Sequence, residues 1–125
     1  MVKDFSELNV WKEAKRMVVD IYKLTKKFPH EEMYGLTNQI RRSATSVCAN
    51  IAEGFSRFHA KDKIRFYYQA RGSISESKSH VFIAKDLGYI EGDIADKLLI
   101  DFESVKMMLN GMISSVARLN HRDKV

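Results

Sequence analysis

Residues Gln39–Arg57 read QIRRSATSVCANIAEGFSR: adjacent arginines open the stretch, a carboxylate sits near its end, and the ten residues from Ser43 to Ala52 carry no charge. Extended back to Leu36, the segment places Leu36, Ile40, Ala44, Val47, Ile51 and Phe55 at intervals of four, four, three, four and four. That is the spacing of a single core stripe on an α-helix. At 100° per residue, Arg42, Ser46, Ala49, Asn50 and Glu53 fall on the opposite face. No lysine occurs between Lys27 and Lys61, whereas a solvated helix face ordinarily takes Lys and Glu, so small residues there imply that something packs against the back of this helix.

Working outward, the same period recurs three times. Val10, Trp11, Ala14, Met17, Val18, Ile21, Tyr22, Leu24 and Phe28 mark a first helix that Pro29 must end, because proline lacks an N–H and biases its predecessor away from helical ψ. Tyr67, Ala70, Ile74, Ser77, Val81, Ala84 and Leu87 mark a third, with Gly88 suited to the left-handed residue beyond its end. Ile94, Leu98, Phe102, Val105, Leu109, Met112, Val116 and Leu119 mark a fourth. The expectation is an all-α single domain over 1–125, with helices at about 10–28, 36–57, 61–87 and 93–120, joined by short connections as an antiparallel up-down-up-down four-helix bundle. A long coiled coil would need heptads running through Pro29 and Gly88, and they do not.

A chain of 125 residues can bury a core without staples, and one proline with six glycines argues against disorder or a loop-rich sandwich. The lone Cys48 cannot close an intramolecular disulfide, and the N-terminus lacks the apolar run of a secretory signal, so the cytoplasm is the expected compartment. Lysines and arginines interrupt every apolar segment, which excludes a membrane-spanning helix. The net charge of +5 and pI near 9.4 favour encounter with polyanions.

Two partners could cover the back of the second helix, and a third reading leaves it in solvent. If the following connection centres near Phe58 and His59, antiparallel pairing sets Thr45 near Gly72, Arg42 near Glu76 and Glu53 near Arg65. Small residues Thr45, Ala49 and Gly72 would then allow close approach, bracketed by two ion pairs. A second copy of the chain would equally want a polar, uncharged face. An unusual solvated face is the third possibility.

Catalytic and metal chemistry is poorly supplied. His30, His59, His80 and His121 are scattered, Glu76 with His80 is a single pair where a di-iron bundle needs two Glu-x-x-His motifs, and the glycines are too isolated for a phosphate loop. No cofactor and no enzymatic activity are expected. Binding is better supplied: Phe55–Arg71 (FSRFHAKDKIRFYYQAR) places Arg57, Lys61, Lys63, Arg65 and Arg71 among Phe58, Phe66, Tyr67 and Tyr68. Cations holding phosphates and aromatics stacking bases are the combination used for single-stranded nucleic acid, although the same aromatics fit a core. A second basic set comprises Lys12, Lys15, Arg16, Lys23, Lys26 and Lys27, with Arg118, Arg122 and Lys124 near the chain end.

QIRRSATSVCANIAEG, with ARGSISES at Ala70–Ser77, DLGYI at Asp86–Ile90, VWKEA at Val10–Ala14 and FPHEEMYGL at Phe28–Leu36, resembles the 23S rRNA intervening-sequence proteins over nearly the whole chain. The resemblance implies a bacterial four-helix bundle assembled as a ring-shaped homo-oligomer, pentameric in known relatives. A similar bundle, the accessory variability determinant of diversity-generating retroelements, binds nucleic acid and partners a reverse transcriptase; on that likeness RNA or DNA and such an enzyme are candidate partners here. Five copies would carry about +25, enough to turn a weak monomer field into appreciable polyanion affinity. The expected function is a non-enzymatic, oligomeric bundle binding nucleic acid electrostatically, as an accessory nucleoprotein subunit; the alternative is a structural or protein-interaction module.

Overall fold

A computed structural model describes residues 1–124, with side chains up to Asn120. Four α-helices account for most of the chain: α1 Asn9–Thr25, α2 Leu36–Ser56, α3 Ala60–Asp86 and α4 Gly92–Lys124. Short 3-10 turns at Phe5–Glu7 and His30–Glu32 precede α1 and α2, and no strand occurs among the described residues. Each helix packs on its chain neighbours and α4 closes onto α1, while α1 and α3, like α2 and α4, face each other only across the core. The enclosed core takes Ile21, Ile40, Ile51, Ile74, Val81, Phe102, Val105 and Leu109 at near-zero exposure.

Helix ends are set by identifiable bonds. α1 stops at Thr25, before Phe28, because the Thr25 hydroxyl donates back to the Ile21 carbonyl at 2.7 Å and the chain turns through Phe28 N–H to Thr25 C=O at 3.1 Å. Arg41, from α2, donates to Thr25 Oγ1 at 2.8 Å and to the Tyr22 carbonyl at 3.5 Å, so a cation sits on the negative end of α1. Glu32 accepts from the first α2 amide, Leu36 N–H, at 3.1 Å and from Tyr89 O–H at 2.8 Å, which raises the Tyr89 pKa. Gly88 adopts φ +79°, and Gly88 N–H to Lys85 C=O with Tyr89 N–H to Ala84 C=O, at 3.0 and 2.9 Å, form the paired bonds of a Schellman cap. Two sequence stretches far apart in the chain, around Glu32 and Tyr89, thus make one corner, tightened by Phe28 and Tyr89 with ring centroids 5.4 Å apart.

The α2–α3 interface is the most extensive, and its register differs from expectation. Ser77 Oγ donates to Ser43 Oγ at 2.7 Å, Ser46 and Ser73 hydroxyls lie 2.9 Å apart, and Gly54 packs against Tyr67. The pairing is offset by about three residues from one centred on Phe58 and His59, and each expected close contact fails in consequence. Gly72 is exposed with nothing within 4 Å of where a Cβ would stand, Ala49 is exposed, and the Thr45 hydroxyl bonds to its own helix at the Arg41 and Arg42 carbonyls. Close approach occurs at Gly54 instead, where a Cβ would lie 2.6 Å from Tyr67 Cε1. The stripe on α4 is also displaced at both ends: Ala95 and Ile113 are buried while Ile94 and Leu119 are exposed, and Leu87 of α3 lies outside the core.

Candidate nucleic-acid interface

The turn between α2 and α3 collects the first basic cluster, and most of it is engaged. Arg57 donates to Glu53 Oε1 at 3.0 Å, and its guanidinium lies 4.7 Å from the Phe66 ring centroid. Arg65 reaches Asp62 at 3.8 Å and also sits 4.7 Å from the Phe66 centroid. Lys63 turns inward: its ammonium donates to the Phe55 carbonyl at 2.7 Å and the Gly54 carbonyl at 3.4 Å, closing the C-terminal end of α2, and burial pushes its pKa down. Arg71 donates to Asn110 Oδ1 at 2.8 Å and lies over Tyr68. Lys61 alone in this cluster is exposed with no ion-pair partner among the described residues.

The aromatics divide as well. Tyr67 is core, 2% exposed, with its hydroxyl pushed up to about 12 by burial. Phe58 at the tip is 90% exposed, edge-on to His59, and Tyr68 is 48% exposed.

Neither expected ion pair across α2–α3 forms. Glu53 is taken by Arg57 and Arg65 by Asp62, each within one turn of its own chain position, because the shifted register carries Glu53 away from Arg65. Arg42 and Glu76 line the same cleft without reaching each other, and no carboxylate pairs with Arg42 among the described residues.

On α1 the basic residues separate into two faces. Arg16 is consumed by acids: it bonds Glu13, reaches Asp20 at 3.0 Å, and bridges to Asp101 of α4 at 3.3 Å. The Glu13 bond holds the Arg16 proton more firmly than usual and lowers the Glu13 pKa. Arg16 therefore ties α1 to α4 and is not available to phosphates. Lys12, Lys15 and Lys23 lie on the outward face and Lys26 just past the end of α1, all exposed; Lys15 lies 5.5 Å from the Trp11 ring centroid, and none of the four has a carboxylate in ion-pair range among the described residues. At 1.5 Å per residue they form a row about 21 Å long. Of the basic set expected on the first helix, Lys12, Lys15, Lys23 and Lys26 fall on this row and Arg16 falls off it. Arg118 is exposed on α4, and the side chains of Arg122, Lys124 and His121 lie outside the described residues.

Cys48 is half-buried beside α1, and burial pushes its thiol up to about 11, so little of the nucleophilic thiolate forms near neutrality. Among the described residues no three His, Cys, Asp or Glu side chains gather as a metal site, and no helix is long and apolar enough to cross a membrane.

A four-helix all-α chain with a Glu32–Tyr89 corner and a serine-lined α2–α3 seam is the class so defined. The profile of the 23S rRNA-intervening sequence protein family matches residues 6–111, and the chain belongs to that family. A crystal structure of a protein of unknown function from the S23 ribosomal protein family of Bacteroides thetaiotaomicron superposes with a TM-score of 0.78 at 24% identity, covering 84% of this chain and 95% of that one. At that identity the likeness shows the fold alone. No curated protein matches the chain.

Proposed function

We propose that the chain is the protomer of a non-enzymatic, cytoplasmic, ring-shaped homo-oligomer, a pentamer of antiparallel up-down-up-down bundles, that binds nucleic-acid backbones electrostatically as an accessory nucleoprotein subunit. The observation that carries the nucleic-acid reading is the lysine row Lys12, Lys15, Lys23 and Lys26, exposed and without a carboxylate partner among the described residues, in a chain of net charge +5. Lysines arrayed along one side of a helix suit a polyphosphate, whose counterions they displace. Lys61 extends the reading to the α2–α3 turn, where exposed Phe58 offers a stacking surface.

The test is a salt titration of binding to labelled single-stranded and duplex probes. Four engaged lysines predict a log–log slope of about −3.6 on duplex DNA, or about a 150-fold loss of affinity between roughly 50 and 200 mM salt. Replacing all four with glutamine flattens the slope, whereas Arg16→Gln leaves it unchanged. No binding at low salt, or binding indifferent to salt, refutes the proposal. Light scattering during size exclusion checks the assembly: a monomer at micromolar concentration refutes the ring.

A further inference from the structure

Between α2 and α3 a cleft is lined by Gln39, Arg42, Ser43, Ser46, Ser73 and Glu76, with no aromatic or aliphatic side chain among them. Its two charged walls do not pair with each other. The Arg42 side chain makes no ion pair or hydrogen bond among the described residues, and Glu76 has only the His80 imidazole, 4.0 Å away. The guanidinium and the carboxylate line one cleft more than 4.0 Å apart, so neither is neutralised by the other.

The floor supplies a further donor. Asn50 Nδ2 donates to Ser46 Oγ at 3.1 Å, and the Ser46 and Ser73 oxygens are 2.9 Å apart. Only one of the two hydroxyl protons can lie between those oxygens. The other is left over whichever serine donates, since neither hydroxyl bonds a carbonyl among the described residues. Ser43 contributes none, because its oxygen accepts from Ser77 and donates to the Ile40 carbonyl at 3.2 Å.

We infer that this cleft binds the charged head of a free α-amino acid, with the carboxylate on Arg42 and the spare serine hydroxyl and the ammonium on Glu76. A simple anion would be repelled by Glu76, and a simple cation by Arg42. A nucleobase edge would find no ring to stack on, and a peptide terminus carries only one of the two charges. Without an apolar wall the ligand side chain remains in solvent, so the site reads the head group and not the side chain. This inference is independent of the lysine row.

Amide chemical-shift titration of the full-length, isotope-labelled protein tests it, with glycine, alanine and glutamate as probes and acetate and methylammonium as single-charge controls. Glycine and alanine shift the Ser46 and Ser73 amides saturably, in roughly the millimolar range and within about threefold of each other, while acetate and methylammonium bind at least about tenfold more weakly. Arg42→Gln and Glu76→Gln each weaken glycine binding by about tenfold or more. Absence of saturable shifts up to about 100 mM glycine, or acetate matching glycine, overturns the inference. The native-chain controls decide the matter even where a variant misfolds.

Discussion

The same substitution at two glycines should move stability in opposite directions. At Gly54 an added Cβ would stand 2.6 Å from Tyr67 Cε1, 2.9 Å from Cδ1 and 3.1 Å from Phe66 Cβ. Tyr67 is 2% exposed, so its ring cannot swing into solvent and the helices must separate. Overpacking of about 3 kcal/mol, less about 1 kcal/mol of gained helix propensity, leaves Gly54→Ala about 2 kcal/mol less stable. At Gly72 nothing lies within 4 Å. Only the propensity term applies, so Gly72→Ala gains about 1 kcal/mol. Urea unfolding by circular dichroism reads both: with a slope of about 1.5 kcal/mol/M, the two midpoints lie about 2 M apart, with wild type between them. Coincident midpoints, or Gly54→Ala as the more stable variant, would refute the assignment of the close contact. A loss at Gly72→Ala that grows with protein concentration would show another copy covering that face.

Two further outcomes follow from local chemistry. With its thiol raised from 9.0 to about 11, Cys48 has about 100-fold less thiolate at pH 8 than an unperturbed thiol, so it reacts with an aromatic disulfide reagent correspondingly slowly until denaturant is added; reaction at a free-thiol rate would contradict the buried placement. Gly88→Ala forces a side chain into φ +79°, costing about 1–2 kcal/mol and lowering Tm by roughly 5 °C, with Gly88→Asn losing less; an unchanged melt would contradict the cap.

What the sequence discloses is the stripe, and what it withholds is the offset between stripes. Ile40, Ala44, Val47 and Ile51 are all buried because a 3.6-residue period fixes which face of a helix is apolar whatever it meets. The α2–α3 register depends on how tightly one ring fits one glycine, and spacing is silent about that. The stripe read from the sequence passes from Ile51 to Phe55 and skips Gly54, a residue of no hydrophobic weight, yet Gly54 is buried and Phe55 only partly so. At the ends of α4 the buried face takes Ala95 and Ile113 and leaves Ile94 and Leu119 exposed, so the period drifts from the one read in the sequence. Among site residues, composition counts Arg16, Arg57, Lys63 and Arg65 as four free cations. The fold occupies each of them with a carboxylate, a ring or a helix end. Long side chains choose partners in three dimensions, and among the described residues Lys12, Lys23, Lys26 and Lys61 are exposed with neither a carboxylate nor a ring against them.

Lys63 has a consequence in time as well as in space. Its ammonium seals the α2 carbonyls eight and nine residues upstream, across a turn of only three residues, and the interface it closes is the most extensive in the molecule. Closing so short a loop costs little chain entropy, and proteins dominated by such local contacts fold in microseconds to milliseconds. The α2–α3 pair is therefore the part of the chain able to organise first. The return of α4 to α1 spans nearly the whole sequence for the thinnest of the helix–helix interfaces, so its closure costs the most chain entropy for the fewest contacts, and the Arg16–Asp101 bridge lies across it.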